Sequence, residues 1–287
     1  NTKMIKNQNH LGGICMILSV LFFSLMDILI KITYEYDVGQ VMFSRALFGL
    51  IPIFFLIPRK RLKNFYKTKY VSLHFYRSFV GAIAMYAIFV GLRNLELAEV
   101  TSMAFSGPIW VVIFSILFLG EKIKMKRWIA VGLGFVGVLV ISKPGFDNLN
   151  LYYIYPVIFT LGFAGVSIFI RKLTLVGEPV YLIAFYFSIC SAIFGLFTLP
   201  FGGWIMPTSY DLGLLILIGL FGSVANLLLT KSYQLAEVSL TTPLKYLSLV
   251  FAIIFGFYLF NEIPTIYTLT GAGLIVISSA IIFIREH

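Results

Sequence analysis

Four ionisable side chains fall inside long apolar stretches of this sequence: Asp27, Arg45, Arg77 and Lys245. A charge is costly within hydrocarbon, so an ionisable residue in an apolar span is a candidate for binding or proton transfer. A lone carboxylate suits a cationic group or a proton, whereas three cations suit an anionic edge such as a carboxylate. These residue types therefore indicate recognition of a small charged molecule.

Asp27 stands one helical turn before Lys31, and that spacing places both side chains on one helix face. The pair is either a structural ion pair near the outer boundary of the membrane or a site carboxylate beside a cation. An internal match between the two halves of the chain sets Ser167 against Asp27 and Arg171 against Lys31. Because only one copy carries the acid, the match favours a functional role for Asp27.

Each of the other cations also has two interpretations. Arg45 lies well inside its span and could pair with Asp27 or meet a substrate carboxylate. Arg77 lies closer to the end of its span, where its long side chain could reach the cytoplasmic headgroups instead of a substrate. Lys245 follows Pro243, which removes a helical hydrogen bond. Irregular backbone within a membrane is tolerated beside protein or a cavity, and we expect Lys245 to face the cavity.

Four uncharged residues complete the candidate site. Tyr246 follows Lys245, and the mid-span rings of Tyr86 and Trp110 could either stack on a flat substrate or pack in the core. Asn226 needs hydrogen-bond partners inside its span, as a clasp between helices or as a substrate contact. The predicted substrate-binding residues are Asp27, Lys31, Arg45, Arg77, Tyr86, Trp110, Ser167, Asn226, Lys245 and Tyr246.

The sequence contains no arrangement of residues typical of catalysis or of metal binding. Of the three histidines, His10 and His287 stand near the ends of the sequence and His74 stands alone. The motifs of zinc proteases, P-loop NTPases, serine hydrolases and CxxC redox proteins are missing from it. We therefore expect no enzyme activity, no cofactor and no metal.

The composition indicates a membrane protein. Of the 287 residues, 60% are hydrophobic and 12% charged, and the mean hydropathy is +0.96. Soluble domains carry about 25% charged residues, so a soluble enzyme is excluded. Long unbroken apolar runs favour helices over the alternating strands of a membrane barrel. The predicted fold class is all-α integral membrane.

Ten apolar stretches are candidates for helices that cross the bilayer, which requires about 20 residues each. We place them at Leu11–Thr33, Val38–Ile57, Val71–Leu92, Val100–Leu119, Trp128–Ser142, Tyr152–Leu173, Val180–Leu199, Leu212–Lys231, Val238–Phe260 and Thr265–Ile284.

The distribution of lysine and arginine predicts the orientation of these spans. With the N-terminus inside, sixteen of the 22 cations fall in inner segments and three in outer ones. Cytoplasmic segments of membrane proteins carry such an excess. We expect a bacterial cytoplasmic membrane protein with both termini in the cytoplasm. The net charge of +10 then reflects membrane lipids as partners, and no nucleic acid is expected.

The two halves of the chain resemble each other. LAEVT at Leu97–Thr101 recurs as LAEVS at Leu235–Ser239, and FLGE at Phe118–Glu121 recurs as LFNE at Leu259–Glu262. Both offsets are close to half the length of the chain. The matches keep the same order in both halves, which indicates an internal duplication.

Five helices per copy is an odd number, so the second copy enters the membrane from the opposite side. Inverted repeats give many secondary transporters two interconvertible states. We predict ten transmembrane helices in two inverted five-helix repeats, residues 1–145 and 146–287, which form one membrane domain. The inferred function is transport.

With this architecture the chain resembles the drug/metabolite transporter superfamily, specifically its EamA-type members. The similarity is carried by SGPIWVVIFSILFLGE, ending at Glu121, and by TPLKYLSLVFAIIFGFYLFNE, ending at Glu262. In the second stretch Leu249 stands where the first has Pro108. FSLMDILIK, MFSRALFG and PLKYLSLVF are similar to the branch that holds bacterial S-adenosylmethionine uptake proteins and riboflavin importers.

The resemblance implies a secondary carrier of a small organic metabolite, which moves it by alternating access. Its cavity would be lined mainly by the first, third and fourth spans and their repeat partners. S-adenosylmethionine is favoured because its adenine, carboxylate and cations match the candidate rings, cations and Asp27. Riboflavin or an amino acid is the alternative within the family. A membrane-embedded enzyme and a non-transporting membrane subunit are the rivals outside it.

The fifth and tenth spans lie outside the central basket in this family, and some members dimerise there. Small residues let helices approach closely. The glycines of these spans therefore allow two interpretations, a homodimer contact or packing within one chain. They are Gly132, Gly134, Gly137, Gly271 and Gly273.

Overall fold

The computed structural model describes residues 2–94, 104, 107–122, 124–142, 151–260 and 266–285. Every regular element in these ranges is helical, which confirms the predicted all-α class for them. The long helices are α1 (Thr2–Ile32), α2 (Val38–Leu56), α3 (Val71–Asn94), α4 (Gly107–Leu119), α5 (Met125–Ser142), α6 (Ile154–Leu175), α7 (Val180–Leu196), α8 (Ser209–Leu235), α9 (Leu247–Phe260) and α10 (Ile266–Arg285).

Seven segments in the described ranges are long and apolar enough to cross a membrane. They are Gln8–Ile30, Val38–Leu56, Val71–Gly91, Ile154–Leu175, Val180–Phe201, Ser209–Leu235 and Val238–Phe255. Three shorter apolar helical stretches are Gly107–Leu119, Trp128–Gly137 and Leu269–Ser278. The chain is therefore a multi-pass membrane protein. The start of the predicted fourth span and the first residue of the tenth lie outside the described residues.

Short sequence signals set several helix ends. Asp37 caps α2, because its carboxylate accepts a hydrogen bond of 2.8 Å from the backbone N–H of Gly39. Thr208 caps α8 in the same way and accepts from the N–H of Asp211 at 3.2 Å. Pro179 precedes α7, where the missing N–H costs no helical hydrogen bond.

The predicted ninth span is interrupted near its start, where Pro243 predicted irregular backbone. One α-helical turn, Val238–Thr241, is followed by a 3₁₀ segment, Thr242–Tyr246, and only then by α9. Pro243 cannot donate a backbone hydrogen bond. The hydroxyl of Thr242 donates instead to the carbonyl of Val238 at 2.6 Å. The irregular backbone is thus stabilised by side-chain hydroxyls.

Six of the helix contacts form three pairs. α1 packs on α8 and α3 packs on α6; α2 packs on α8 and α3 packs on α7; α1 packs on α9 and α4 packs on α6. Corresponding helices of the two halves differ by five in number, so that α1 corresponds to α6 and α2 to α7. Replacing each helix by its counterpart turns the first contact of each pair into the second. The contacts α2–α7 and α5–α10 convert into themselves.

α5 and α10 pack through their glycines. A Cβ atom on Gly137 would lie 2.8 Å from the carbonyl oxygen of Gly271. Added Cβ atoms on Gly132 and Gly273 would meet nothing within 4 Å. Packing within one chain therefore explains Gly137 and Gly271, whereas Gly132 and Gly273 face away from the described core.

Candidate substrate site

Asp27 is an exposed carboxylate near the C-terminal end of α1. Among the described residues, the cations whose charges act on it are Arg45 of α2 and Lys245 of the 3₁₀ segment. Phe23, one turn earlier on α1, lies 5.8 Å from the Lys245 ammonium, so this face of α1 points toward that segment. Asp27 is therefore an exposed acid whose charge interacts with cations of two other elements.

The expected ion pairs of Asp27 are not found in the described part of the chain. The one salt bridge there joins His74 to Glu178, so Arg45 and Asp27 do not form a close pair. The side chain of Lys31 lies outside the described residues. Asp27 also makes no hydrogen bond to a described side chain, so no described group occupies its carboxylate oxygens.

Lys245 packs against aromatic faces. Its Nζ lies 3.4 Å from the ring centroid of Phe163 on α6 and 5.8 Å from that of Phe23 on α1. Aromatic rings attract cations through their negative faces. The side chain is half-buried between α1 and α6, in agreement with the expected inward orientation.

Arg45 is buried against two thioethers. Its Nε lies 3.2 Å from the sulfur of Met26, and its Nη1 lies 2.6 Å from that of Met85. Thioether sulfur is a weak acceptor. The guanidinium thus keeps much of its capacity to bind an oxygen or an anion.

Arg77 lies in the core, which makes the headgroup interpretation wrong. Its side chain is 1% exposed, and Nη2 donates to Oδ1 of Asn226 at 3.0 Å. The guanidinium carbon lies 4.0 Å from the ring centroid of Phe187. Asn226 is therefore a clasp between α3 and α8. Aromatic stacking and this hydrogen bond turn the arginine inward rather than toward the membrane surface.

A pocket lies between α2, α7 and α8 beside these groups. The space in it that is open to the centre of a water-sized sphere is about 10 Å³. Its lining alternates small and polar residues with one ring: Arg45, Ala46, Gly49, Phe187, Ser188, Ser191, Gly222, Ser223 and Asn226. Arg45 and Asn226, which were both predicted to belong to the site, therefore line the same pocket.

Ser167 takes part in helix packing. It is fully buried, and its hydroxyl donates to the carbonyl of Phe163 at 2.9 Å. The hydroxyl also lies 3.2 Å from that of Tyr233, which in turn lies 3.4 Å from Oγ1 of Thr242. These hydroxyls join α6, α8 and the 3₁₀ segment.

Tyr246 does not face Asp27 and the pocket. It is fully buried in a cluster with Leu249 and Ile275, and its ring touches the position of Gly134 on α5. Its place beside Lys245 in the sequence misled the prediction, because successive residues of a helical turn point in different directions.

The two other aromatic candidates also lie apart from the lining of the pocket. Trp110 is 38% exposed and contacts Phe114 edge-on at 6.5 Å. Tyr86 packs against Phe194 with a centroid distance of 5.9 Å. Mid-span depth predicted contact with substrate equally for both rings, but depth carries no information about the helix face.

Two polar clusters were missed by the sequence reasoning. The first joins α3 to the turn after α6: His74 Nε2 lies 3.1 Å from Glu178, and Thr68 donates to the same carboxylate at 2.8 Å. The His74 ring stacks on Tyr186 at 4.6 Å. No motif or spacing in the sequence connects these distant residues.

The second cluster joins the two repeated motifs. The carboxylate of Glu121, which ends FLGE, accepts from the backbone N–H groups of Val238 and Ser239, at 3.2 Å each, and from the Ser239 hydroxyl. It thereby caps the interrupted ninth span. The recurrence of both motifs in the sequence was the signal that could have pointed to this contact. Their counterparts in the other half of the chain, Thr101 and Glu262, lie outside the described residues.

The sequence matches a known family twice. Residues 10–143 and 150–284 each match the EamA-like transporter family. The chain belongs to the EamA-like transporter family. The resemblance inferred from its motifs is thus confirmed, and the protein is a membrane transporter for small metabolites. The names of the family and its relatives point to transport rather than catalysis.

Individual relatives agree with this family. The S-adenosylmethionine uptake transporter of Rickettsia conorii is 31% identical over 78% of this chain and 76% of its own length. The riboflavin transporter of Rhizobium johnstonii is 27% identical over 96% of this chain and 91% of its own. A solved crystal structure has the same fold, with a TM-score of 0.76 at 16% identity over 96% of both chains.

Proposed function

We propose that this EamA-family transporter is a secondary carrier of an S-adenosylmethionine-like metabolite in the bacterial cytoplasmic membrane. The observation that carries the proposal is the accessible carboxylate of Asp27 between Arg45 and Lys245. A carboxylate in such a place binds a cationic group without first losing a protein partner.

The charges around Asp27 suit a zwitterionic substrate that also carries a permanent cation. The sulfonium or ammonium of S-adenosylmethionine would meet Asp27, and its carboxylate would meet Arg45 or Lys245. The rings of Phe23 and Phe163, which flank Lys245, offer faces for a flat base. The Rickettsia relative named for S-adenosylmethionine uptake supports this substrate class.

The proposed architecture is ten spans in two inverted five-helix repeats, over residues 1–145 and 146–287. Two features support it. The family model matches two successive stretches of similar length, and the helix contacts come in pairs related by a shift of five helices. An odd number of spans per repeat then gives the two copies opposite orientations.

Alternating access requires contacts that open at one end while the other closes. With both termini in the cytoplasm, Glu121 and the start of the ninth span lie at the cytoplasmic end. The bonds from Val238 and Ser239 to Glu121 hold that end together. We assign them to the cytoplasmic gate of the carrier.

Two partners outside the site complete the proposal. Gly132 and Gly273 have open space beside them and leave part of the α5–α10 surface available to a second copy in a homodimer. The inner segments rich in lysine and arginine contact anionic membrane lipids.

The function is tested by counterflow in reconstituted vesicles loaded with unlabelled S-adenosylmethionine. We expect saturable exchange of external labelled substrate. Asp27→Asn removes a charge-assisted contact and lowers the apparent affinity about tenfold or more. Glu35→Gln, which neutralises an exposed acid just after α1, serves as the matched control and keeps normal exchange.

The same vesicles separate the substrate classes. Riboflavin lacks the fixed cation, so a riboflavin carrier would exchange riboflavin with little dependence on Asp27. Equal S-adenosylmethionine affinity in Asp27→Asn and the parent protein would contradict the assigned role. Absence of exchange for the parent protein would contradict the proposed substrate.

A further inference from the structure

Two buried guanidinium groups share one aromatic ring. The Arg45 and Arg77 carbons lie 5.7 Å and 4.0 Å from the centroid of Phe187. They are 8% and 1% exposed, and each charge opposes the other. Neither forms a salt bridge with an acid in the described ranges. Two like charges in a low-dielectric interior are costly unless a counter-charge lies near both.

The donors around Phe187 are also poorly matched within the protein. Nε and Nη1 of Arg77 and the hydroxyls of Ser191 and Ser223 have no hydrogen-bond partner among the described residues. In the described part of the chain, the hydrogen bonds of Arg45 go to thioether sulfurs. Buried polar groups are normally hydrogen-bonded, so this concentration of unused donors marks a site for an acceptor from outside the chain.

The pocket lined by Phe187 limits the size of that acceptor. Its volume of about 10 Å³ is roughly what one water molecule needs, so it takes a small group and not a whole metabolite. Gly49 and Gly222 line it, and a Cβ on Gly222 would lie 2.6 Å from Nε of Arg45. The glycine thus leaves room for the guanidinium beside the pocket.

We propose that the pocket between α2, α7 and α8 binds a small monoanion, held by Arg45 and the hydroxyls of Ser191 and Ser223, which line it. The Arg77 guanidinium on α3, stacked on the Phe187 ring of the lining, adds its charge nearby. The anion is a carboxylate or a halide. Its source is either the carboxylate of the transported metabolite or a free ion bound beside it. The first source rests on the proposed function, whereas the second does not.

The site is tested on the purified full-length protein without any metabolite. The protein is unfolded thermally in the sodium salt of a bulky sulfonate, which has no carboxylate, with chloride or formate added at constant ionic strength. We expect a saturable rise in Tm of about 3 °C at tenfold excess over Kd. No response to either anion would overturn the proposal, whatever the protein transports.

Variants locate the response. Arg45→Gln should abolish the rise in Tm, and Ser223→Ala should weaken the apparent affinity for chloride by about threefold to tenfold. Ser223→Ala removes one hydroxyl and so remains informative if Arg45→Gln fails to fold. Ser115→Ala is the matched control, because Ser115 is buried in α4 and donates to Val112 at 2.8 Å. Equal responses in Ser223→Ala and Ser115→Ala would place the anion elsewhere and overturn the assignment.

A binding measurement with S-adenosylmethionine and its decarboxylated analogue distinguishes the two sources. If the substrate carboxylate occupies the pocket, chloride competes with S-adenosylmethionine but leaves the binding of the analogue unchanged. If a free anion occupies it, chloride strengthens the binding of both or leaves both unchanged. Either result upholds the anion site when the Tm response is present.

Discussion

Asp27 and Ser167 occupy corresponding positions in the two halves of the molecule, because each lies the same number of residues from the start of its family match. Their environments differ completely. Asp27 is exposed between two cations, whereas Ser167 is fully buried with its hydroxyl on Phe163 and Tyr233. The two copies therefore use the same helical position for different purposes.

The cations one turn later extend the contrast. Arg171 donates from Nη1 to the carbonyls of Tyr233 and Gln234, at 2.6 Å and 3.3 Å, near the C-terminal end of α8. A cation there satisfies carbonyls that lack helical partners and favours the helix dipole. Its counterpart Lys31 has a side chain outside the described residues. In the second copy, Ser167 and Arg171 thus join α6 to α8. In the first copy, Asp27 remains available to a ligand.

The largest effect on thermal stability is expected when a carboxylate is placed at the buried position, Ser167. Ser167→Asp places a carboxylate where a hydroxyl is fully enclosed, and an uncompensated buried charge costs about 3 kcal/mol or more. We expect a fall in Tm of about 6 °C or more for the purified protein. The measurement is thermal unfolding in detergent.

The reciprocal change is the control for this comparison. Asp27→Ser removes an exposed acid that holds no described partner, so its Tm should stay within about 2 °C of the parent value. If both exchanges destabilise the protein equally, the two positions have the same structural role and the contrast between them fails.

An intermediate effect is expected for the basic residue of the second copy. Arg171→Gln removes the charged donor from the end of α8, and hydrogen bonds from charged groups contribute about 1.5–3 kcal/mol. The expected fall in Tm is about 4 °C. Lys172→Gln, the adjacent cation, touches only the Phe118 ring at 5.8 Å and should shift Tm by less than half as much. Equal shifts would mean that general charge, not the cap on α8, accounts for the loss.

The inward groups of the site were predictable because charge inside an apolar span has few tolerable orientations. Asp27, Arg45 and Lys245 were all expected to face the interior; Arg45 is buried, Lys245 is half-buried, and the charges of both act on Asp27. The same reasoning failed for Arg77. Its depth near a span end allowed two directions, and only the positions of Phe187 and Asn226 on other helices selected the inward one.

Contacts between distant helices were the part that sequence could not predict. His74 and Glu178 meet because α3 packs beside the turn after α6, which no local pattern encodes. The orientation of aromatic residues was equally hard to predict. A ring such as that of Trp110 is stable whether its helix face meets lipid, a cavity or a neighbouring helix. The contact of Glu121 with Ser239 was partly predictable. The internal repeat identified both motifs, but it did not show that they touch.

The smallest effect tests whether the buried hydroxyls serve packing alone. Tyr233→Phe removes the hydroxyl between Ser167 and Thr242 and leaves the ring in place, so we expect a loss of about 1 kcal/mol and a fall in Tm of about 2 °C. Counterflow of S-adenosylmethionine should keep its apparent affinity. Ser167→Ala is the matched variant, and combined with Tyr233→Phe it should cost less than the two separate losses together, because both remove the same contact. A large fall in substrate affinity with an unchanged Tm would instead place this hydroxyl pair in the binding site, and the second copy would then contribute to recognition as the first does.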